Sequence, residues 1–167
     1  MRMCPWGRRA ALMALSLLQL GKHRKLWLFD TFAGLPAPTA EDPDYEIAEL
    51  FNGSCLGRLE EVRELFRDQG VAGGVAFVKG LFQDTIPHCP IERIALLHID
   101  GDWYESVKVC LDALYDKVVP GGIIQFDDYG YWKGARKAVD EFLAKRKIDV
   151  PLKRLDYSGR ALWKPLS

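Results

Sequence analysis

Four aspartates fall in two short segments whose spacing invites metal or proton chemistry. In LLHIDGDWYES, residues 96–106, Asp100 and Asp102 stand one residue apart at the end of an apolar run. In GIIQFDD, residues 122–128, Asp127 and Asp128 close a second such run. Short apolar runs of this kind read as buried strands of a parallel sheet. A carboxylate at the end of a buried strand is costly unless something cationic meets it. Parallel neighbours lie about 4.8 Å apart, so if the two runs pair, Asp100, Asp127 and Asp128 share one small space. Their repulsion and desolvation would then cost several kcal/mol or force protonation. A divalent cation offsets this, and an all-oxygen donor set selects magnesium, calcium or manganese over zinc. Magnesium keeps positions open for water or substrate oxygens, which suits catalysis.

A blander reading competes with this one. Aspartate is favoured just before a helix, so each acid could be a helix cap or a solvated loop residue. For Asp102 alone the cap and the site stand level. For Asp100, Asp127 and Asp128 together a site is the better reading, because independent caps need not fall at the ends of two adjacent strands. Asp30, which closes LWLFD, is a fifth candidate. An acid ending the second strand of a dinucleotide-type fold accepts hydrogen bonds from the ribose hydroxyls of an adenosine-bearing cofactor. Its alternative is turn initiation, since Asp-Thr ahead of Phe-Ala-Gly is good turn chemistry.

The elements that position these residues follow from periodicity. Residues 10–20, stopped by Gly21, read as a largely buried helix, and 25–30 as a strand opening into TFAGLPAP. A long acidic, proline-bearing loop, about 34–54, has the length of a lid or binding element, or of a mobile surface loop. Leu59, Val62, Leu65 and Phe66 mark one face of a helix that Gly70 ends. Strands are expected at 75–80 and 93–100, a helix over 104–118, a strand restarting at 122 after Pro-Gly-Gly, and an amphipathic helix over 133–146. LKRLDYSGRALWK reads as an antiparallel hairpin about Ser158-Gly159. Strands alternating with helices imply an α/β fold with a mostly parallel sheet. In such sheets ligands bind outside the carboxyl ends of the strands, which here are Asp30, Gly80, Asp100 and Asp127-Asp128.

Composition sets the frame. At 167 residues and 49% hydrophobic the chain fits one domain, taken as 1–167. Lys plus Arg balance Asp plus Glu at 23 each, so no global field recruits nucleic acid or anionic lipid, and a small, near-neutral partner is favoured. Cys4, Cys55, Cys89 and Cys110 lack paired ligand spacing, which points away from zinc and disulfides and toward a reducing cytoplasm. The basic start followed by an apolar stretch is expected to be an ordinary helix rather than a signal peptide, and no segment is long enough to span a bilayer.

LWLFDTFAGLPAP, FVKGLFQDTIP, LLHIDGDWYES and LYDKVVPGGIIQFDDYGYWKGARKAVDEF, with the loop between them, together resemble the macrocin O-methyltransferase family over about 25–143. The DGD and PGG-DDYG combination is the specific part. The resemblance implies a Rossmann-like class I methyltransferase fold that uses S-adenosylmethionine and magnesium to methylate a sugar or related vicinal hydroxyl of a small molecule or glycoconjugate. It implies Asp100, Asp127 and Asp128 as metal ligands, Asp102 as the general base, Asp30 as the ribose anchor, and Gly80 and Phe82 along the adenosine. Tyr104, Tyr129 and Trp132 flank the acids, as walls for the sugar or as packing residues.

The family opens its domain with a central strand ending in an acid, a cysteine and a glycine. Met3, Cys4, Pro5, Trp6 and Gly7 occupy that place here, with too few residues before them for a strand. The usual first strand is therefore expected to be missing, as in an N-terminally truncated chain. Pro5 in place of a glycine also denies the cofactor a backbone N–H. Three other functions stay open: a catalytically inactive, methyltransferase-like remnant, in a homo-oligomer or alone; a metal-dependent hydrolase using the same acids; and a phosphotransfer receiver, which would need its acid pair on an early strand. Nucleic acid and membrane are not expected as partners.

Overall fold

Residues 5–166 are described by the computed structural model, and the apolar runs become strands where periodicity places them. In chain order the elements are α1 (Pro5–Gln19), β1 (Leu26–Asp30), α2 (Tyr45–Ala48), α3 (Leu59–Asp68), β2 (Val75–Lys79) and α4 (Phe82–Thr85). There follow β3 (Ile94–Ile99), α5 (Tyr104–Leu114), β4 (Val118–Phe126), α6 (Lys133–Lys145), β5 (Lys153–Arg154) and β6 (Arg160–Trp163). The chain divides into two units. One takes residues up to Ala37 with Phe51–Leu81; the other takes Pro38–Leu50 with the chain from Phe82 onward.

In the first unit β1 and β2 run parallel, in register from Leu26 opposite Val75 to Asp30 opposite Lys79. Ala10, Ala11 and Ala14 of α1 join Val62 and Phe66 of α3 in its core, and Phe66 meets Phe77 of β2 edge to face at 5.3 Å. Burying Val62 and Phe66 completely contributes about 2–3 kcal/mol each. The expected face of α3 is the observed one, and Gly70 ends it at φ +68°. Helix α1 is less buried than the largely buried helix expected. Its alanines face the core, while Leu12 and Leu18, and Leu20 just past its end, are more than 60% exposed.

In the second unit the strand order is β3-β4-β6-β5. β3 and β4 are parallel, from Ile94 opposite Val118 to Ile99 opposite Phe126; β4–β6 and β5–β6 are antiparallel. The hairpin expected at the end is present, its turn held by Asp156 Oδ1, which accepts from Ser158 N at 3.0 Å and from Gly159 N. Val118 opens a strand rather than ending a helix. A 3₁₀ turn over Tyr115–Lys117 links α5 to the strand, and Lys164 Nζ donates to the carbonyls of Tyr115, Asp116 and Val118 at 3.0, 3.2 and 2.7 Å. β4 then carries Pro-Gly-Gly through a register shift, with Gly121 at φ +73°. Val107, Cys110, Leu111 and Leu114 of α5 and Ala135, Ala138, Val139 and Phe142 of α6 are buried at the expected helical spacing.

Among the described residues β1 and β3 each have a hydrogen-bonded neighbour on one side only, and no strand joins the two sheets. Where the family resemblance leads one to look for a first strand, Pro5 opens α1 instead; Met3 and Cys4 lie outside the described residues. Cys55, Cys89 and Cys110 are free thiols. Among the described residues no helix is long and apolar enough to cross a membrane.

Candidate metal and cofactor residues

Ile99 and Phe126 are register partners on parallel strands, so Asp100 and Asp127 are the next residues on adjacent chains. Asp127 N–H donates to Ile99 O at 2.9 Å and extends the ladder by one bond. The two acidic segments thus meet. Asp100, Asp102 and Asp128 each offer a carboxylate oxygen within 4.8 Å of the other two, and all are half-buried. Asp100 is also grouped with Asp127 and His98 within the same 4.8 Å limit. Asp127 and Asp128, expected in one ligand set with Asp100, therefore fall in two groups that share Asp100. His98 was missed. Its Nε2 is buried and lies 3.5 Å from Asp127 Oδ1. The available signal was strand alternation, which puts His98 and Asp100, two residues apart, on one face.

Asp102 adopts φ +55°, a left-handed conformation uncommon for a residue with a Cβ and costing on the order of 1 kcal/mol or more. Two hydrogen bonds hold it there: its N–H donates to Asp128 Oδ2 at 3.1 Å, and its Oδ1 accepts from Trp132 Nε1 at 3.0 Å. The cap alternative for Asp102 does not describe this turn, because Trp103 occupies the N-cap position of α5. Gly101 permits close packing, since a Cβ there would stand 3.1 Å from Ser106 Cβ and 3.5 Å from Phe82 Cε2. Phe82 is thus beside the acidic turn.

Electrostatics decide what the cluster can hold. Burial first, then the charges of Asp102 and Asp100, push the Asp128 carboxyl up to about 9, although the Asp102 N–H opposes the shift. At neutral pH Asp128 keeps its proton unless a cation compensates the site. The donors are carboxylates with one imidazole nearby, a set that fits a hard divalent ion.

Tyr104 and Trp132 are buried, and each of the three flanking aromatics donates a side-chain hydrogen bond to a carboxylate. Tyr104 is buried and its hydroxyl donates to Glu141 Oε2 at 2.7 Å; that bond, then burial, raises its pKa to about 12. Tyr129 donates to Asp140 Oδ1 at 2.7 Å, with Arg136 and Arg160 near its ring. Trp132 is buried edge to face on Trp103, centroids 4.9 Å apart, which aims its N–H at Asp102.

Asp30 and Gly80 lie in the first unit, Phe82 in the second. Gly80 N–H donates to Asp30 O at 3.0 Å, so the ends of β1 and β2 are tied. Asp30 Oδ1 accepts from Phe32 N–H, so turn initiation is one of its roles. An open depression of about 570 Å³ at these strand ends is lined by Thr31, Gly34, Lys79 and Gly80 among others. Gly34, at φ +96°, packs against the carbonyl of Gly53 so closely that a Cβ would stand 2.5 Å from it.

Comparison with known proteins gives this geometry a context. The model of the macrocin-O-methyltransferase (TylF) family matches residues 5–164. The chain is 38% identical over 143 residues to demethyldecarbamoylnovobiocin O-methyltransferase of Streptomyces niveus, covering 83% of this chain and 54% of that protein. It is 34% identical over 141 residues to 8-demethyl-8-(2,3-dimethoxy-alpha-L-rhamnosyl)-tetracenomycin-C 4'-O-methyltransferase of Streptomyces olivaceus, covering 81% and 53%. The solved structure of the O-methyltransferase NovP is similar with a TM-score of 0.87 at 34% identity, covering 93% of this chain and 66% of that one. The chain thus spans about half the length of these two curated relatives.

Proposed function

The chain belongs to the macrocin-O-methyltransferase family and has its Rossmann-like class I methyltransferase fold, and from that premise we propose an S-adenosylmethionine- and magnesium-dependent O-methyltransferase activity. Its acceptor would be a sugar or related vicinal hydroxyl on a small molecule or glycoconjugate. The observation that supports this reading is the convergence, at the ends of adjacent strands, of Asp100 with Asp102 and Asp128 on one side and with Asp127 and His98 on the other, where burial and the neighbouring acids raise the Asp128 pKa. S-adenosylmethionine supplies an electrophilic methyl group and magnesium a charge that orients and acidifies hydroxyls.

The chain's own residues do the rest. Asp100, Asp127 and Asp128 are the proposed metal-holding acids. Asp102 is the proposed proton acceptor; with Oδ1 engaged by the Trp132 indole, its carboxylate is held in one orientation, which favours transfer from a positioned hydroxyl. Asp30 and Gly80 at the ends of β1 and β2, and Phe82 beside Gly101, are the proposed cofactor contacts. A near-neutral chain with interleaved charges supports a small-molecule acceptor over nucleic acid or membrane.

Calorimetry with magnesium and with S-adenosylmethionine, followed by a methyl-transfer assay, tests the reading. The relatives named for a rhamnosyl tetracenomycin and for demethyldecarbamoylnovobiocin make those two compounds the first acceptors to try. Heat from magnesium but none from S-adenosylmethionine would favour an inactive remnant. Metal-dependent hydrolysis without the cofactor would favour a hydrolase.

A further inference from the structure

The acidic loop carries a contact that the proposed function does not use. Its segment Pro38–Leu50 belongs to the second unit, and two of its aspartates reach the helices that follow the acidic turns. Asp42 is 2% exposed, and its Oδ1 accepts from Tyr104 N at 2.7 Å while Oδ2 accepts from Thr39 N at 2.9 Å. Asp44 Oδ2 accepts from Lys133 N at 3.1 Å. Tyr104 opens α5 two residues after Asp102. Lys133 opens α6 directly after Trp132, whose indole holds Asp102.

Both helices have a tryptophan at the N-cap position, Trp103 and Trp132. An indole donates but cannot accept, so neither residue can cap its own helix through its side chain. The first N–H of each helix instead receives a carboxylate from 62 and 89 residues away, with the charge sign that a helix N-terminus favours. Gly134, the second residue of α6, makes room for this. A Cβ there would overlap Asp42 Oδ1 and stand 3.1 Å from Tyr104 N. The start of α5, the start of α6 and the loop therefore converge on one buried carboxylate. Above it, Lys137 pairs with Glu41 at 2.6 Å and lies 4.7 Å from the Tyr104 ring centroid.

We propose that Asp42 is a positioning residue for the DGD turn: by gripping the first amide of α5 against Gly134 of α6, it fixes Asp102 relative to the Trp132 indole. A left-handed Asp102 persists only where its surroundings over-determine it, and Asp42 is one of those constraints. The inference rests on the roles proposed above for Asp102 and the metal-holding acids. It extends them to the loop that carries Asp42.

The test reads the turn directly, in the metal-free chain, through the ¹⁵N–¹H indole resonance of Trp132, assigned by its loss in Trp132→Phe. Mn²⁺ binding by electron paramagnetic resonance is the second readout. Asp42→Ala is expected to move the Trp132 resonance and to weaken Mn²⁺ binding about tenfold, the usual scale for residues that support a ligand. Asp42→Asn, which keeps one oxygen for Tyr104 N–H but loses the acceptor for Thr39 N–H, should move the resonance less than Asp42→Ala does, and Glu46→Ala, exposed on the same loop, should leave both readouts unchanged. Should Asp42→Ala not fold, Gly134→Ala displaces the same carboxylate and carries the comparison. A folded Asp42→Ala or Gly134→Ala whose Trp132 resonance stays in place, with only the melting temperature lowered, would overturn the proposal. A moved resonance in a protein that binds no Mn²⁺ would uphold the positioning role and refute the metal reading instead.

Discussion

The backbone N–H of Asp102 donates to Oδ2 of Asp128 over 3.1 Å and ties together two turns 26 residues apart. The bond brings the Asp102 carboxylate near that of Asp128, which burial already disfavours as an anion. A carboxyl raised from 3.8 to about 9 keeps its proton in the folded chain at pH values where the unfolded chain has lost it. Folded-state protonation then exceeds unfolded-state protonation, so the stability of the metal-free protein is fullest below 3.8 as far as this group is concerned and is lost as pH rises toward 9. Thermal melts across that range should show wild type losing stability with rising pH more steeply than Asp128→Asn. Parallel curves for the two proteins would refute the assignment. Magnesium should bind with release of a proton, read by calorimetry in buffers of different ionisation enthalpy.

Asp102 and Asp127 are expected to separate by function. Asp102→Asn keeps an oxygen for the Trp132 indole and the backbone bond to Asp128, so the turn survives while the proton acceptor is lost. Turnover should fall by about 10²–10⁴-fold with magnesium affinity retained. Asp127→Asn should weaken metal binding and turnover together, by about tenfold or more. Parallel titrations of both variants with magnesium decide the matter: equal metal loss in the two would make Asp102 a metal-holding acid as well, and loss in Asp102→Asn alone would exchange the roles.

Much of this site was legible because it depends on local pattern plus one pairing. Two apolar runs ending in acids were enough to expect that Asp100 and Asp127 would stand side by side, and the register Ile99–Phe126 places them so. The boundaries that misled have physical causes elsewhere in the chain. Val118 has helical spacing, but it pairs with Ile94 across the sheet after a 3₁₀ turn over Tyr115–Lys117, where Lys164 holds the carbonyls of Tyr115, Asp116 and Val118. The leucines of α1 looked buried, but the alanines face its core. His98 and Asp42 went unseen for different reasons. A lone histidine in a strand reads as packing until its partner is known, and Asp42 finds Tyr104 only across 62 residues.

Trp132→Phe separates aiming from packing. Phenylalanine keeps an aromatic face against Trp103 but removes the N–H that donates to Asp102 Oδ1. Loss of that one hydrogen bond should cost about 1 kcal/mol of stability in urea denaturation. Turnover should drop several-fold further than the stability change accounts for, because Asp102 gains rotational freedom. Full activity in a destabilised Trp132→Phe protein would show that the indole only packs.

The end of β1 offers a paired test of the cofactor assignment, because two neighbouring changes act on different links of the chain. Asp30→Asn retains an Oδ1 that can accept from Phe32 N–H, so the turn is kept and the denaturation midpoint should stay where it is. What it loses is charge-assisted acceptance from ribose hydroxyls, expected to weaken S-adenosylmethionine binding by about tenfold. Gly34→Ala acts the other way. It puts a Cβ 2.5 Å from the Gly53 carbonyl oxygen at φ +96°, where the obstructing atoms are backbone and cannot swing aside. The paired bonds Leu35 N to Ser54 O and Gly53 N to Leu35 O, each 2.8 Å, would have to give. A loss of about 1–3 kcal/mol should follow, with cofactor affinity falling only as far as the depression lined by Gly34 and Gly80 is deformed. If Asp30→Asn bound S-adenosylmethionine as wild type does, the carboxylate would be a turn former alone, and the ribose contact would have to be sought at another residue of that depression.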